Sequence, residues 1–361
     1  MTPFTGPSDH RKRVVIVDDS RSIRAWLRHV LESDSRLAVV GEAGDAFEAR
    51  QVIKALNPDI ITLDIEMPQM SGLEFLSRLM RLRPMPVVMV SSATQNGSDA
   101  AITALSLGAL DCLLKPTGLP DPKTCLDICN RVFSAACARV PGVAPIHSPH
   151  SVTQARLTPM TDGPLILLGA STGGVTALET VLSGLDPAGP PVVIVQHMPN
   201  QFLTSFTSLL NQKLPQEVGF VQDDQPLRNG QILFAPAIGK HTEVVRRKGQ
   251  WRCRLRDDLE KALHCPSVDA LFSSAAPHGH DVIAALLTGL GRDGAEGMSL
   301  LKRSGAHTIG QDEDTCVIYG MPRVARKIGA VVEELPLHQV SDGIMAAILA
   351  HAQQRRRRMD P

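Results

Sequence analysis

The stretch Leu165-Ile166-Leu167-Leu168-Gly169-Ala170-Ser171-Thr172-Gly173-Gly174 constrains this chain most. Four apolar residues in a row read as a buried strand, and the Gly/Ser/Thr cluster reads as a sharp turn. Helix-compatible residues resume at Ala177-Leu178-Glu179. Gly169-Ala170-Ser171-Thr172-Gly173 also fits G-x-S-x-G, a strand-to-helix turn that exposes a serine hydroxyl beside backbone N–H groups. Gly169 and Gly174 equally match the outer glycines of G-x-G-x-x-G, but Ser171 stands where a central glycine would let a pyrophosphate approach. A nucleophilic serine needs a base and an orienting acid elsewhere in the chain.

The 361 residues suffice for two domains, each with its own core. Over residues 11–138, strand-like runs at 14–17, 37–40, 60–63, 87–90 and 111–114 alternate with helical patterns. One such pattern is the apolar face of Ile23, Trp26, Leu27, Val30 and Leu31. The alternation predicts βαβ units and a parallel sheet. Polar groups follow the strands: Asp18 and Asp19 the first, Asp64 the third, Ser91 the fourth, Lys115 the fifth. Three carboxylates at one sheet end repel unless a divalent cation neutralises them, and hard oxygen ligands suit Mg²⁺. A lysine ammonium and a hydroxyl beside them can hold a phosphoryl group on a carboxylate.

The motifs are Val17-Asp18-Asp19-Ser20, Asp64-Ile65-Glu66-Met67-Pro68-Gln69-Met70-Ser71-Gly72, Val90-Ser91-Ser92 and Lys115-Pro116. With them this half resembles response-regulator receiver domains, a (βα)5, flavodoxin-like fold. The resemblance implies that Asp64 is phosphorylated, and that Asp18, Asp19, Asp64 and the backbone carbonyl of Glu66 hold Mg²⁺. It further implies that Lys115 contacts the phosphoryl group, that Ser91 is the switch hydroxyl, and that the Lys115-Pro116 bond is cis. A CheA-like histidine kinase would be the phosphodonor. Ser71 replaces the commoner aspartate but keeps a capping oxygen, and Cys112 stands where receivers often carry an aromatic switch residue.

Pro141, Pro145, Pro149 and Pro159 punctuate a linker over 139–163. A second domain is expected over 164–352, with a basic tail at 353–361. After the Ser171 turn comes Val192-Val193-Ile194-Val195-Gln196-His197, a buried strand with a histidine at its tip. Residues 232–235 form a further strand, 241–257 a hairpin, and 282–287 a strand running into a glycine-dense loop that holds Asp293. Asp293 either caps the next helix or completes a triad in which Ser171 attacks, His197 takes its proton and Asp293 fixes the imidazole tautomer. The order serine, histidine, acid differs from that of α/β-hydrolases.

These residues, with Gln196-His197-Met198-Pro199, Pro266-Ser267-Val268-Asp269, Leu287-Thr288-Gly289-Leu290-Gly291-Arg292-Asp293-Gly294 and Tyr319-Gly320-Met321-Pro322, resemble the catalytic domain of the CheB family. The resemblance implies a doubly wound, mostly parallel α/β methylesterase domain. Its activity would be hydrolysis of glutamyl methyl esters on methyl-accepting chemoreceptors, with release of methanol, and deamidation of receptor glutamines. No cofactor is expected in the esterase site. Backbone N–H groups of Thr172 and Leu290 would line the oxyanion hole, Leu290 standing where the family commonly has methionine. The receiver would cover the cleft until Asp64 is phosphorylated. Two alternatives are the same fold in a receptor-array pathway outside chemotaxis, and a response regulator with a catalytically silent binding output.

Lysine plus arginine number 37 and aspartate plus glutamate 37, a balance that gives no overall field for nucleic acid or an anionic membrane. The 7 cysteines form no C-x-x-C pair, which suits reduced thiols. No apolar run reaches the ~20 residues of a membrane span, so a cytoplasmic protein without membrane insertion is expected.

Overall fold

The structure, a computed structural model, describes residues 11–92, 94–115, 118, 121–138, 163–259 and 262–359. The chain divides into two compact units, Met1–Val143 and Ala144–Pro361. Most of the expected linker, and the Lys115-Pro116 bond, lie outside the described residues.

In the first unit β1 (Lys12–Val17), β2 (Leu37–Ala43), β3 (Ile60–Asp64), β4 (Val87–Ser91) and β5 (Asp111–Leu114) alternate with five helices. The sheet order is β2-β1-β3-β4-β5, with every pairing parallel. Val14, Val15, Ile16, Ile60, Ile61 and Val88 are fully buried, as strands covered on both faces require. Local chemistry sets the helix starts. Asp45 caps α2 (Ala46–Leu56), Ser71 caps α3 (Gly72–Leu82) through the Glu74 N–H, and Asp121 caps α5 (Pro122–Cys137) with proline in its first turn. Between α3 and α5, α4 spans Gln95–Ser106, and α1 spans Arg21–Glu32 with Ser20 as its cap.

The second unit is built on a seven-stranded parallel sheet, order β14-β13-β12-β6-β7-β9-β8, in which β9 is Gln231–Phe234. Its central strands are β6 (Leu165–Ala170), β7 (Val192–Gln196) and β12 (Val282–Leu286). Leu165, Leu167, Val193 and Val195 share one core with α8 (Val268–Ala275) and α9 (Ala295–Arg303). On the other side, Ile166, Val192 and Ile232 border Met345 and Ile348 of the last helix, α11 (Leu337–Met359). The hairpin is β10 (Lys240–Arg247) with β11 (Gln250–Asp257), a separate antiparallel pair.

β8 (Glu217–Phe220), β13 (His307–Gln311) and β14 (Glu333–Leu335) are not expected from the sequence pattern. Each is short and half polar, with no four-residue apolar run to mark it. The expected basic tail is also different in the structure: α11 carries on through residues 355–358 to Met359. Arginine, glutamine and alanine are good helix formers, so nothing there breaks the helix. The remaining helices of this unit are α6 (Gly174–Ser183), α7 (Asn200–Lys213) and α10 (Met321–Lys327).

Candidate active site and phospho-acceptor site

Ser171 and His197 directly follow β6 and β7, and Asp293 lies in the loop after β12; the three strands are neighbours in the sheet. In parallel strands those ends face the same way, so side chains from three distant parts of the sequence share one rim. The turn after β6 is tight. Gly173 takes the left-handed conformation (φ 79°), and a Cβ there would stand 2.6 Å from the Val317 Cβ. Ser171 itself has no positive φ, so the strain of the turn sits on the glycine and not on the serine.

The turn is tied down from both neighbours. The Ser171 N–H donates to the Thr288 carbonyl (3.0 Å), and Gln196 Nε2 donates to the Ser171 carbonyl (2.9 Å). The Thr288 hydroxyl donates to the Thr172 carbonyl (3.0 Å) and accepts from the Ile318 N–H (2.9 Å). Gly289 packs directly on the serine: a Cβ there would lie 2.7 Å from the Ser171 Cβ and would overlap the Met321 sulfur. Leu290 follows Gly289 in the chain.

His197 Nε2 lies 2.8 Å from Asp293 Oδ2. Asp293 also accepts from the Ser267 hydroxyl (2.7 Å), the Val268 N–H (2.7 Å) and the Asp269 N–H (2.9 Å). It therefore sits at the positive end of α8 and not at the start of α9, whose cap is Gly294. Burial works to raise the Asp293 carboxyl, but His197 and these donors outweigh it and hold the group well below the usual carboxylate range. A carboxylate can only accept, so Nε2 carries the imidazole proton and Nδ1 is the basic nitrogen. Nδ1 is buried and makes no hydrogen bond among the described residues. The His264 ring stacks on His197, with centroids 4.2 Å apart and planes 15° apart.

His241, Asp258 and Cys265 gather nearby, each able to bring one ligand atom within 4.8 Å of the others. His241 Nδ1 accepts from the Ser267 N–H (3.2 Å), so its proton is on Nε2, facing Asp258 at 3.2 Å. A metal would need that nitrogen bare. The group reads as a brace for the segment leading into α8.

In the first unit, Asp18, Asp19 and Asp64 bring one carboxylate oxygen each within 4.8 Å of one another, a hard-oxygen set that fits a divalent cation. Lys115 Nζ stands 3.0 Å from Asp18 Oδ2 and 2.7 Å from Asp64 Oδ2. Burial pushes Asp64 up to about 6 against the pull of Lys115, and the charge of Asp18 adds to the rise. Burial works to lower Lys115, but Asp64 and Asp18 overcome it and hold the ammonium above its ordinary value. The Glu66 N–H donates to Asp64 Oδ1 (3.2 Å), and the buried Ser91 hydroxyl donates to the Gly97 carbonyl of α4 (2.9 Å). Cys112 is buried in β5, its thiol donating to the Ala101 carbonyl (3.4 Å).

Two family profiles match the chain: CheB methylesterase over residues 166–344 and response regulator receiver domain over 14–125. A protein-glutamate methylesterase/protein-glutamine glutaminase of Agrobacterium fabrum is 44% identical over 338 residues, which is 92% of this chain and 95% of that one. The chain belongs to the CheB family. A Caulobacter vibrioides protein named protein-glutamate methylesterase/protein-glutamine glutaminase 1 is 45% identical, with 92% of this chain and 97% of its own length covered. One from Salmonella typhimurium with the unnumbered name is 42% identical, with 94% and 97% covered. In this CheB-family chain, Gln196, Thr288 and Ser267 lie within the recognisable motifs but no spacing assigns them a role, and His264 and His241 carry no motif signal. Their contacts join segments far apart in sequence, so only the folded sheet reveals them.

Proposed function

We propose that this protein is a phosphorylation-controlled serine esterase that hydrolyses glutamyl methyl esters on methyl-accepting chemoreceptors and deamidates receptor glutamines. The observation that carries the reading is the His197–Asp293 pair (2.8 Å), which leaves Nδ1 as the base on the rim that Ser171 shares. Kinship over nearly the whole chain with named methylesterases supports it.

Ser171 Oγ attacks the ester carbonyl while His197 Nδ1 takes its proton. Backbone N–H groups of Thr172 and Leu290 stabilise the oxyanion, a contribution of ~3–4 kcal/mol for one donor. The tetrahedral intermediate collapses, and methanol leaves with the proton from His197. Water then attacks the acyl-enzyme, giving its proton to His197, and releases glutamate and the free serine. With a glutamine, ammonia leaves in place of methanol.

In the receiver, Asp64 takes a phosphoryl group from the phosphohistidine of a CheA-like kinase. Asp18, Asp19, Asp64 and the Glu66 carbonyl would hold Mg²⁺, which when bound neutralises charge on the phosphoryl oxygens. Lys115 pairs with the phosphoryl group, and the Ser91 hydroxyl turns to it from α4. Such a protein works in the cytoplasm, where receptor signalling domains and kinase meet. No described helix is long and apolar enough to cross a membrane.

Methanol release from a methylated receptor fragment tests the reading. The wild-type protein should release methanol, and Ser171→Ala should not, while Asp64 still accepts phosphate. Methanol release by Ser171→Ala at the wild-type rate would refute the assignment.

A further inference from the structure

The bond from His197 Nε2 to Asp293 holds one ring nitrogen but does not by itself stop the imidazole plane from turning. Any such turn moves Nδ1 with respect to Ser171. No polar contact prevents it, since Nδ1 has no hydrogen-bond partner among the described residues. The flat face of His264 lies against the ring instead, at 4.2 Å between centroids and 15° between planes.

His264 is not an isolated neighbour. Three residues further on, the Ser267 hydroxyl donates to Asp293 Oδ1 (2.7 Å), and the Val268 and Asp269 N–H groups follow (2.7 and 2.9 Å). One segment, 264–269, thus touches the base through a ring and the acid through three donors. The segment is itself braced, since the Ser267 N–H donates to the buried His241 (3.2 Å). Displacing it would disturb both partners of the serine at once.

We propose that His264 is a positioning residue for ester hydrolysis: its ring sets the plane in which His197 Nδ1 meets the Ser171 hydroxyl. The inference rests on the reading of Ser171, His197 and Asp293 as the esterase triad. It acts through the face of the ring and needs no proton from His264.

The test compares full-length wild-type protein with His264→Ala and His264→Phe. Phenylalanine keeps a flat face and removes the ring nitrogens. Loss of one stacked pair should lower kcat for methanol release by about three- to tenfold in His264→Ala, with KM little changed. His264→Phe should recover most of that loss. The rate at which a fluorophosphonate labels Ser171 should fall and recover in parallel. Labelling needs no receptor, so it separates the two readings: a wild-type protein that labels quickly yet releases no methanol leaves the substrate assignment at fault and the positioning still measurable. His264→Ala labelling at the wild-type rate would overturn the proposal. So would His264→Phe as slow as His264→Ala, because the polar atoms and not the face would then matter. A raised KM with unchanged kcat would assign His264 to substrate binding instead.

Discussion

Asp293 accepts from four donors, and asparagine at that position would keep its size while offering one acceptor oxygen and turning an amide N–H₂ toward groups that also donate. Asp293→Asn should therefore lower kcat for methanol release by about 10³–10⁴-fold through the wrong imidazole tautomer. It should also cost about 1–3 kcal/mol of stability, read from the urea midpoint, because buried donors lose their acceptor. Asp64 gives a second residue-scale expectation. Burial, assisted by Asp18, raises it from 3.8 to about 6, so the folded state holds this proton more tightly than the unfolded chain does. Its contribution to stability is then fully present below 3.8 and is lost as the pH rises through about 6. Urea midpoints of the metal-free protein across that window should show this falling limb, and Asp64→Asn should flatten it. An unchanged limb in the variant would assign the effect to other groups. Ser171, His197, Asp18, Asp64 and Lys115 could be singled out from sequence because each stands at the end of a strand whose apolar run is visible, and Asp293 because it lies in the glycine-dense loop after one. Gln196, Ser267 and His264 work through contacts that no spacing records.

The elements that matter most are three adjacent strands and one helix start. β6, β7 and β12 carry the serine, the histidine and the acid, and their parallel order makes the shared rim unavoidable. Their runs of branched apolar residues are why the centre of the sheet was legible, whereas β8, β13 and β14 at its margins lacked such runs. The start of α8 was partly legible as the motif containing Ser267, but its use as a cradle for Asp293 required the fold. Ser267 serves two ends at once, accepting from the Ala270 N–H (3.2 Å) and donating to Asp293 (2.7 Å). The crossing of the β12 loop over the serine turn is equally close. Gly289→Ala would press its Cβ on the Ser171 Cβ and the Met321 sulfur, so one of the two segments must shift. The expected result is a loss of about 1–3 kcal/mol in stability together with a drop in kcat of tenfold or more. Urea unfolding and methanol release measure the two. Retained activity in a destabilised protein would mean that the shift is taken up on the Met321 side.

On the proposed reading, the chain joins two units with different chemistry, a carboxylate that takes a phosphoryl group and a serine that is acylated. Phosphorylation can alter the esterase only if the phosphoryl group interacts differently with two states of the protein. The receiver offers the means: a phosphoryl group on Asp64 would add charge where Lys115 now pairs with Asp18 and Asp64, at the same end of the sheet as Ser91, whose hydroxyl now bonds the Gly97 carbonyl of α4. Cys112 is buried against the Ala101 carbonyl, so any rearrangement there must proceed without an aromatic ring at that position. A coupling of about 1–3 kcal/mol corresponds to roughly 5- to 150-fold in rate if it is spent on opening the active form. A small phosphodonor with Mg²⁺ should therefore raise methanol release by at least about fivefold. Asp64→Asn should not respond to the donor at all. Ser171→Ala should incorporate phosphate normally and release no methanol, which separates signal from output in one protein. Equal rates with and without the donor, in a protein shown to carry phosphate on Asp64, would mean that the two units share a chain without sharing an equilibrium.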